Sequence, residues 1–337
     1  MTAPHPRDNP FLLGQDAAEA MLADAVASGR MHHAWLITGP QGVGKATLAY
    51  RFARYLLAGA PRSGSLAVDA GHPVFRRVAA GTHADLLTVE REWDEKRKKL
   101  RGEIVIETVR GIAGFLRLTA AEGGWRVVVV DGAEDINRNA ANALLKVLEE
   151  PPPRTVIILV CSAAGRLLPT IRSRCRRLRL PRLDDAALDA LLARYLPEQP
   201  QAVRERLASL AEGSIGRALL LAEGDGIPAA ELVGQLLDAL PQPPAVLPDA
   251  IADTLGRGED AFSTFMDLLR AAIASAVRET ARGRPDPDQA RMLAGRPLDA
   301  WVEIWQGLGT LQSETEDFYL DKRQAIAATV AMLAKSA

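Results

Sequence analysis

The chain has 337 residues, 48% of them apolar and 25% charged, the balance of an ordinary globular protein long enough to bury a full core without metal or disulfide staples. With 41 Lys and Arg against 42 Asp and Glu the net charge is −1, so bulk charge argues against a free-standing nucleic-acid binder and leaves only local basic patches open. The two cysteines, Cys161 and Cys175, exclude a disulfide framework and any four-cysteine zinc site, and suit a reducing compartment.

The longest apolar runs, residues 127–130 and 156–161, fall far short of the roughly 18 residues that span a bilayer. The first residues carry no apolar stretch of the secretory kind. The expectation is a cytoplasmic chain with no membrane partner.

In chain order, residues 35–38 predict a strand that ends at a glycine turn. Leu48, Phe52 and Leu56, flanked by Ala49, Ala53 and Leu57, lie on one face at helical spacing. Residues 86–89 predict a second strand. Residues 105–118 predict a helix interrupted by Gly111 and Gly114, with Ile112, Phe115 and Leu116 inside. Residues 127–130 and 156–160 are continuous β-rich runs, expected of strands covered on both faces. Between them residues 140–150 predict a helix stopped by Pro151, Pro152 and Pro153. Strands alternating with helices argue for a parallel α/β sheet. Beyond about Leu180 no strand-like run recurs. The second half reads as helical, with breaks near 196–199, Gly213, 224–228 and the proline-rich stretch 241–248, a boundary or an exposed turn.

Between the first strand and the first amphipathic helix stands Gly39-Pro40-Gln41-Gly42-Val43-Gly44-Lys45, the G-x4-G-K core of a P-loop. Such glycines let backbone amides approach phosphate oxygens, and the lysine and the helix N-terminus supply positive charge. The plainer reading is a glycine-rich turn capping a helix. A complete P-loop continues with Ser or Thr, whose hydroxyl holds Mg²⁺. Here Ala46 stands there. Thr47 comes one place later, about 100° around the helix, and should not address the same metal. Phosphate binding is expected to survive better than metal-dependent binding.

The run 127–130 ends in Asp131, the form of an acidic strand end that supports Mg²⁺ beside a nucleotide. An Asp-Gly strand-terminal turn is the alternative. The next position, where hydrolysing proteins usually carry a water-activating glutamate, is Gly132. Glu134 follows two places later, where reach to the same water cannot be assumed.

The block Asp131, Gly132, Ala133, Glu134, then Asn137, then residues 140–152 (Ala-Ala-Asn-Ala-Leu-Leu-Lys-Val-Leu-Glu-Glu-Pro-Pro), followed by Ser173-Arg174-Cys175, resembles the bacterial clamp-loader subunits, a family of AAA+ proteins. His32, His33, Ala34, Trp35 and Leu36, and Leu320, Asp321, Lys322, Arg323 and Gln324, fit the same pattern. The likeness is dense over residues 30–180 and thinner after.

The resemblance implies an α/β P-loop AAA+ domain with a parallel sheet flanked by helices over 1–180, a small helical lid over 181–228 and an all-α C-terminal collar over 229–337. It implies a mixed ring with gamma/tau and delta subunits, joined through the collar, that places a sliding clamp on primed DNA. Arg174 is then the residue that reaches a neighbouring subunit's ATP. The alternative for Arg174 is one more solvated cation beside Arg172, Arg176, Arg177 and Arg179. Gly39, Gly42, Gly44, Lys45, Ala46, Thr47 and Asp131 would line the chain's own nucleotide site, and Ser162 falls where active members sense the γ-phosphate. The lid arginine of active members is replaced: Gly213, Ser214 and Ile215 lead to Gly216, with Arg217 one place on.

Ala46, Gly132 and Gly216 all weaken hydrolysis, so any ATP is expected to bind weakly or remain uncut. No zinc is expected: residues 59–83, where many relatives carry four cysteines, have none, and His72 and His83 do not make a tetrahedral site. Two other readings remain, a hydrolysing gamma/tau-like motor subunit and a stand-alone AAA+ helicase or branch-migration motor.

Two further features are open. Lys96, Arg97, Lys98, Lys99 and Arg101 form a basic cluster, either a solvated loop or a set of DNA phosphate contacts. Trp301, Trp305, Leu308 and Leu311 form a helical stripe, either core or subunit contact, and Ile326, Val330 and Leu333 near the C-terminus fit either.

Overall fold

The computed structural model describes residues 4–61, 65–95, 99–224, 226–256, 261–283 and 287–334. The chain divides into two units, Met1–Arg217 and Ala218–Ala337.

The first unit runs α1 (Asp16–Ala27), β1 (Ala34–Thr38), α2 (Lys45–Leu57), α3 (Pro73–Ala79), β2 (Leu86–Val89), β3 (Trp93–Asp94), β4 (Lys99–Leu100), α4 (Ile106–Arg117), β5 (Arg126–Asp131), α5 (Arg138–Glu149), β6 (Thr155–Cys161), α6 (Pro169–Ser173), β7 (Arg176–Arg179), α7 (Asp185–Tyr195) and α8 (Gln201–Ala211). Its sheet has the order β2-β5-β6-β1-β7. Every neighbouring pair is parallel.

The alternation of a strand now sorts the core. Trp35, Ile37, Val127, Val129, Val156 and Ile158 bury one face against Leu48, Phe52 and Leu56 of α2. Ala34, Leu36, Val128, Val130, Ile157 and Leu159 bury the other against α4 and α5 through Ile112, Leu116, Leu144 and Leu148. Period-2 side chains covered on both faces explain why these strands read as unbroken apolar runs. Phe52 meets Trp35 edge to face, with centroids 6.4 Å apart.

Local chemistry moves several boundaries. Asn137 accepts from the Ala140 amide through its side chain, so α5 starts at Arg138, ahead of the expected residue 140. Gly111 and Gly114 do not interrupt α4. The strand β7 has no apolar run in sequence, because three of its residues are exposed arginines and only Leu178 is buried.

The second unit begins in α9 (Ile215–Ala222), whose first turn belongs to the first unit. It continues with α10 (Gly226–Asp238), α11 (Leu247–Leu255), α12 (Ala261–Ala281), α13 (Pro287–Leu293), α14 (Leu298–Asp317) and α15 (Lys322–Leu333). Pro228 sits in the first turn of α10, a position that needs no donor, so the break expected over 224–228 ends earlier. The proline-rich stretch connects α10 to α11 within this unit.

Trp301, Leu308, Ile326, Val330 and Leu333 are buried with Phe262 and Phe265 of α12. Trp305 is half-buried under the Arg270 guanidinium, 4.7 Å from its ring centroid. Asp321 caps α15 by accepting from the amides of Arg323 and Gln324. Among the described residues no helix is long and apolar enough to cross a membrane.

Candidate functional site

Three strand ends converge on one edge of the sheet. The register sets Thr38 opposite Cys161, and Asp131 opposite Val160. The phosphate-type loop after β1, the acid at the end of β5 and Ser162 after β6 therefore share the crevice beyond the carboxyl ends of parallel strands, where α/β sheets hold their ligands.

Gly42 and Gly44 take φ of +75° and +97°, a backbone that side chains resist. Gly44 caps α2, so Lys45 is its first residue. Lys45 is buried, and its Nζ donates to the Pro40 carbonyl at 2.6 Å. Burial pulls its pKa down, against the opposing pull of Glu134, Asp131 and Cys161. Ala46 is partly buried and Thr47 buried; neither hydroxyl nor carboxylate stands at position 46.

On the acid side, burial raises the Asp131 pKa, with Glu90 and Glu134 adding to the shift and Lys45 opposing it. Gly132, at φ +75°, turns the chain into a short 3-10 segment, Ala133–Asp135. That turn carries Glu134 back to the site: its Oε1 accepts from the Ser162 amide at 2.8 Å. Its Oε2 is buried without a hydrogen-bond partner among the described residues. Spacing alone left the reach of Glu134 open; the positive φ of Gly132 supplies it. The Cys161 thiol beside it is pushed up to about 12, first by burial and then by Glu134.

Arg174 lies apart, just after α6. Its Nη1 donates to the Thr170 carbonyl at 2.9 Å and its Nη2 lies 2.7 Å from Glu149 Oε1. Arg176, Arg177 and Arg179 are exposed along β7. Arg174 is therefore held at two points, whatever it serves. Arg217 pairs with Glu212 at 3.2 Å, and Gly216 meets the phosphate loop directly, its amide donating to the Gly42 carbonyl at 3.0 Å.

Two expected features have plain placements. Lys96, Arg97 and Lys98 lie outside the described residues, and Arg101 pairs with Glu92 at 3.2 Å. His72 caps α3, and the buried His83 accepts from the Asp85 amide. Among the described residues no group of three or more His, Cys, Asp or Glu is placed to hold a metal.

A family model described as DNA polymerase III, delta subunit, matches residues 14–184, which include the phosphate loop, Asp131, Ser162 and Arg174. The chain belongs to this family. It is 42% identical to the DNA polymerase III subunit delta′ of Pseudomonas aeruginosa over 182 residues, 54% of this chain and 53% of that protein. It is 37% identical to subunit delta′ of Escherichia coli over 217 residues, 64% and 62% of the two. It is 30% identical to subunit tau of Salmonella typhimurium over 277 residues, 79% of this chain and 40% of that one. The chain thus spans about half the length of the curated relatives it matches. The resemblance carried by residues 131–152 and by Ser173-Arg174-Cys175 is to the delta′ branch of the clamp-loader family, and the match confirms it.

Proposed function

We propose that the chain is the delta′ subunit of a DNA polymerase III clamp loader, helping a mixed ring to place the sliding clamp on primed DNA. On this reading the first 180 residues are the AAA+ domain, 181–228 the lid and 229–337 the collar that joins gamma/tau and delta subunits. The chain's own pocket binds ATP weakly or leaves it uncut, and Arg174 serves the ATP of a neighbour.

One observation carries the reading: the groups that hold phosphate are kept while those that cut it are replaced. The glycines at 39, 42 and 44, Lys45 and Asp131 stand at one sheet edge. Ala46 gives no hydroxyl to a metal. Gly132 gives no carboxylate at the water-activating position. The Glu134 that returns to the site is committed by one oxygen to the Ser162 amide.

The residues fit a phosphate far better than a metal, so no metal-dependent step is assigned to this pocket. Lys45 would neutralise phosphate charge, provided it leaves the Pro40 carbonyl that it now holds. Arg174 would act outward: a planar, permanently charged guanidinium stabilises the charge that builds on a transferring phosphoryl group.

The test is a reconstitution. The isolated chain should turn over ATP negligibly, join a complex with motor subunits of the same organism, and in its R174A form lower that complex's ATPase on the order of 10³-fold at the served site. Brisk ATPase from the isolated chain, or an unaffected R174A complex, overturns the reading.

A further inference from the structure

Four consecutive carbonyls of the phosphate loop are each held by a different donor. Lys45 Nζ donates to Pro40. Ser214 Oγ donates to Gln41 at 2.8 Å. The Gly216 amide donates to Gly42 at 3.0 Å. Gln15 Nε2 donates to Val43 at 3.2 Å. One donor is the loop's own lysine. The others come from Gln15 just before α1, from Ser214 just before α9 and from Gly216 in the first turn of α9.

A trans peptide is planar, and its C=O and the following N–H point in opposite directions. Holding the carbonyl of residue i therefore aims the amide of residue i+1. The four bonds aim the amides of Gln41, Gly42, Val43 and Gly44. Among the described residues, none of these amides donates a hydrogen bond. The loop is thus fixed from its carbonyl side, and the amides of Gly42, Val43 and Gly44 stay aimed at an anion even when Lys45 turns from Pro40 to meet it.

Ser214 and Gly216 are shaped for this task. The Ser214 hydroxyl also accepts from the Arg217 amide at 3.1 Å, so it ties the start of α9 to the loop with both of its functions. A Cβ on Gly216 would stand 2.7 Å from Gly42 Cα, and one on Gly42 would stand 2.4 Å from Ser214 Oγ. Neither position accepts a side chain while the two backbones touch. Gln15 is 3% exposed and grips the Pro181 carbonyl as well as Val43.

We propose that Gln15, Ser214 and Gly216 are positioning residues for the phosphate loop, so that the seating of the start of α9 and the shape of the anion cradle form one equilibrium. The ligand they prepare the loop for, the phosphates of a nucleotide, rests on the function proposed above. The positioning itself does not.

Selective ¹⁵N-glycine labelling of the full chain separates the two. Gly42's amide follows the carbonyl held by Ser214, and Gly44's follows the one held by Gln15. In the unaltered chain both should be rigid, with order parameters of about 0.85. S214A should loosen Gly42 and Q15A should loosen Gly44, toward values below about 0.6. S214T, which keeps the hydroxyl, should restore Gly42. A fluorescent ADP without Mg²⁺ should bind each alanine variant about 2- to 10-fold more weakly, the loss of one ordinary hydrogen bond.

Mobile Gly42 and Gly44 amides in the unaltered chain, or unchanged rigidity in both alanine variants, overturn the proposal. Should the glycines respond as stated while ADP fails to bind any variant, the positioning stands and the nucleotide reading of the pocket falls.

Discussion

Glu149 closes α5 at the end where a helix carries partial negative charge, a poor place for an acid unless a cation answers it. Arg174 answers it at 2.7 Å, while the Thr170 carbonyl takes a second hydrogen of the guanidinium. Arginine has five N–H donors, so both tethers leave about three for an outside acceptor. Glu149 therefore orients the cation without occupying it. Both side chains are more than a third exposed, at 36% and 48%, and the pair is worth only about 0.2–1 kcal/mol after screening. That is roughly a 1.4- to 5-fold change in the population of the oriented rotamer. E149A should lower the ATPase kcat of the reconstituted complex by that factor with little change in KM, against the far larger loss in R174A. The effect should shrink as salt is raised. A loss in E149A as deep as that in R174A, or none at low salt, would refute this account of Glu149.

D131N should raise the melting temperature. The native Asp131 pKa is raised, chiefly by burial, so the folded chain holds this proton more tightly than the unfolded one. Stability from that group is lost as pH rises from the ordinary value of 3.8 through the raised one, and D131N should flatten the melting profile over that span. N137A removes the cap that receives the Ala140 amide and should cost about 1 kcal/mol in urea unfolding. Burial pushes the Cys161 thiol up to about 12 and the Cys175 thiol up to about 11. At pH 8 Ellman's reagent should therefore react with neither in the folded chain and with both in denaturant, and prompt native labelling would contradict their burial.

The central sheet and the loop were legible because their physics is local. Residues 127–130 and 156–160 are unbroken apolar runs because both of their faces are covered. Gly42 and Gly44 stand where the backbone turns left-handed. Three other features depend on contacts distant in sequence. Among the described residues β7 pairs only with β1, at the edge of the sheet, and exposes its arginines, so it offers no apolar run. Glu134 reaches Ser162 through the turn at Gly132, which spacing does not reveal. Gln15 and Ser214 look like ordinary polar residues until the fold brings them to carbonyls 28 and 173 positions away. The buried Arg54 is another residue whose role rests on distant contacts. It donates to the carbonyls of Arg7 and Asn9, tying the N-terminal segment to α2, and its pKa is held down to about 10 by burial.

The rim formed by β7 has a further consequence. As the last strand of the sheet, β7 is of the kind along which one copy of a protein can pair with another. Arg176, Arg177 and Arg179 give the strand exposed like charge on both faces of the sheet. Like charge of this kind on an edge strand disfavours pairing between identical copies.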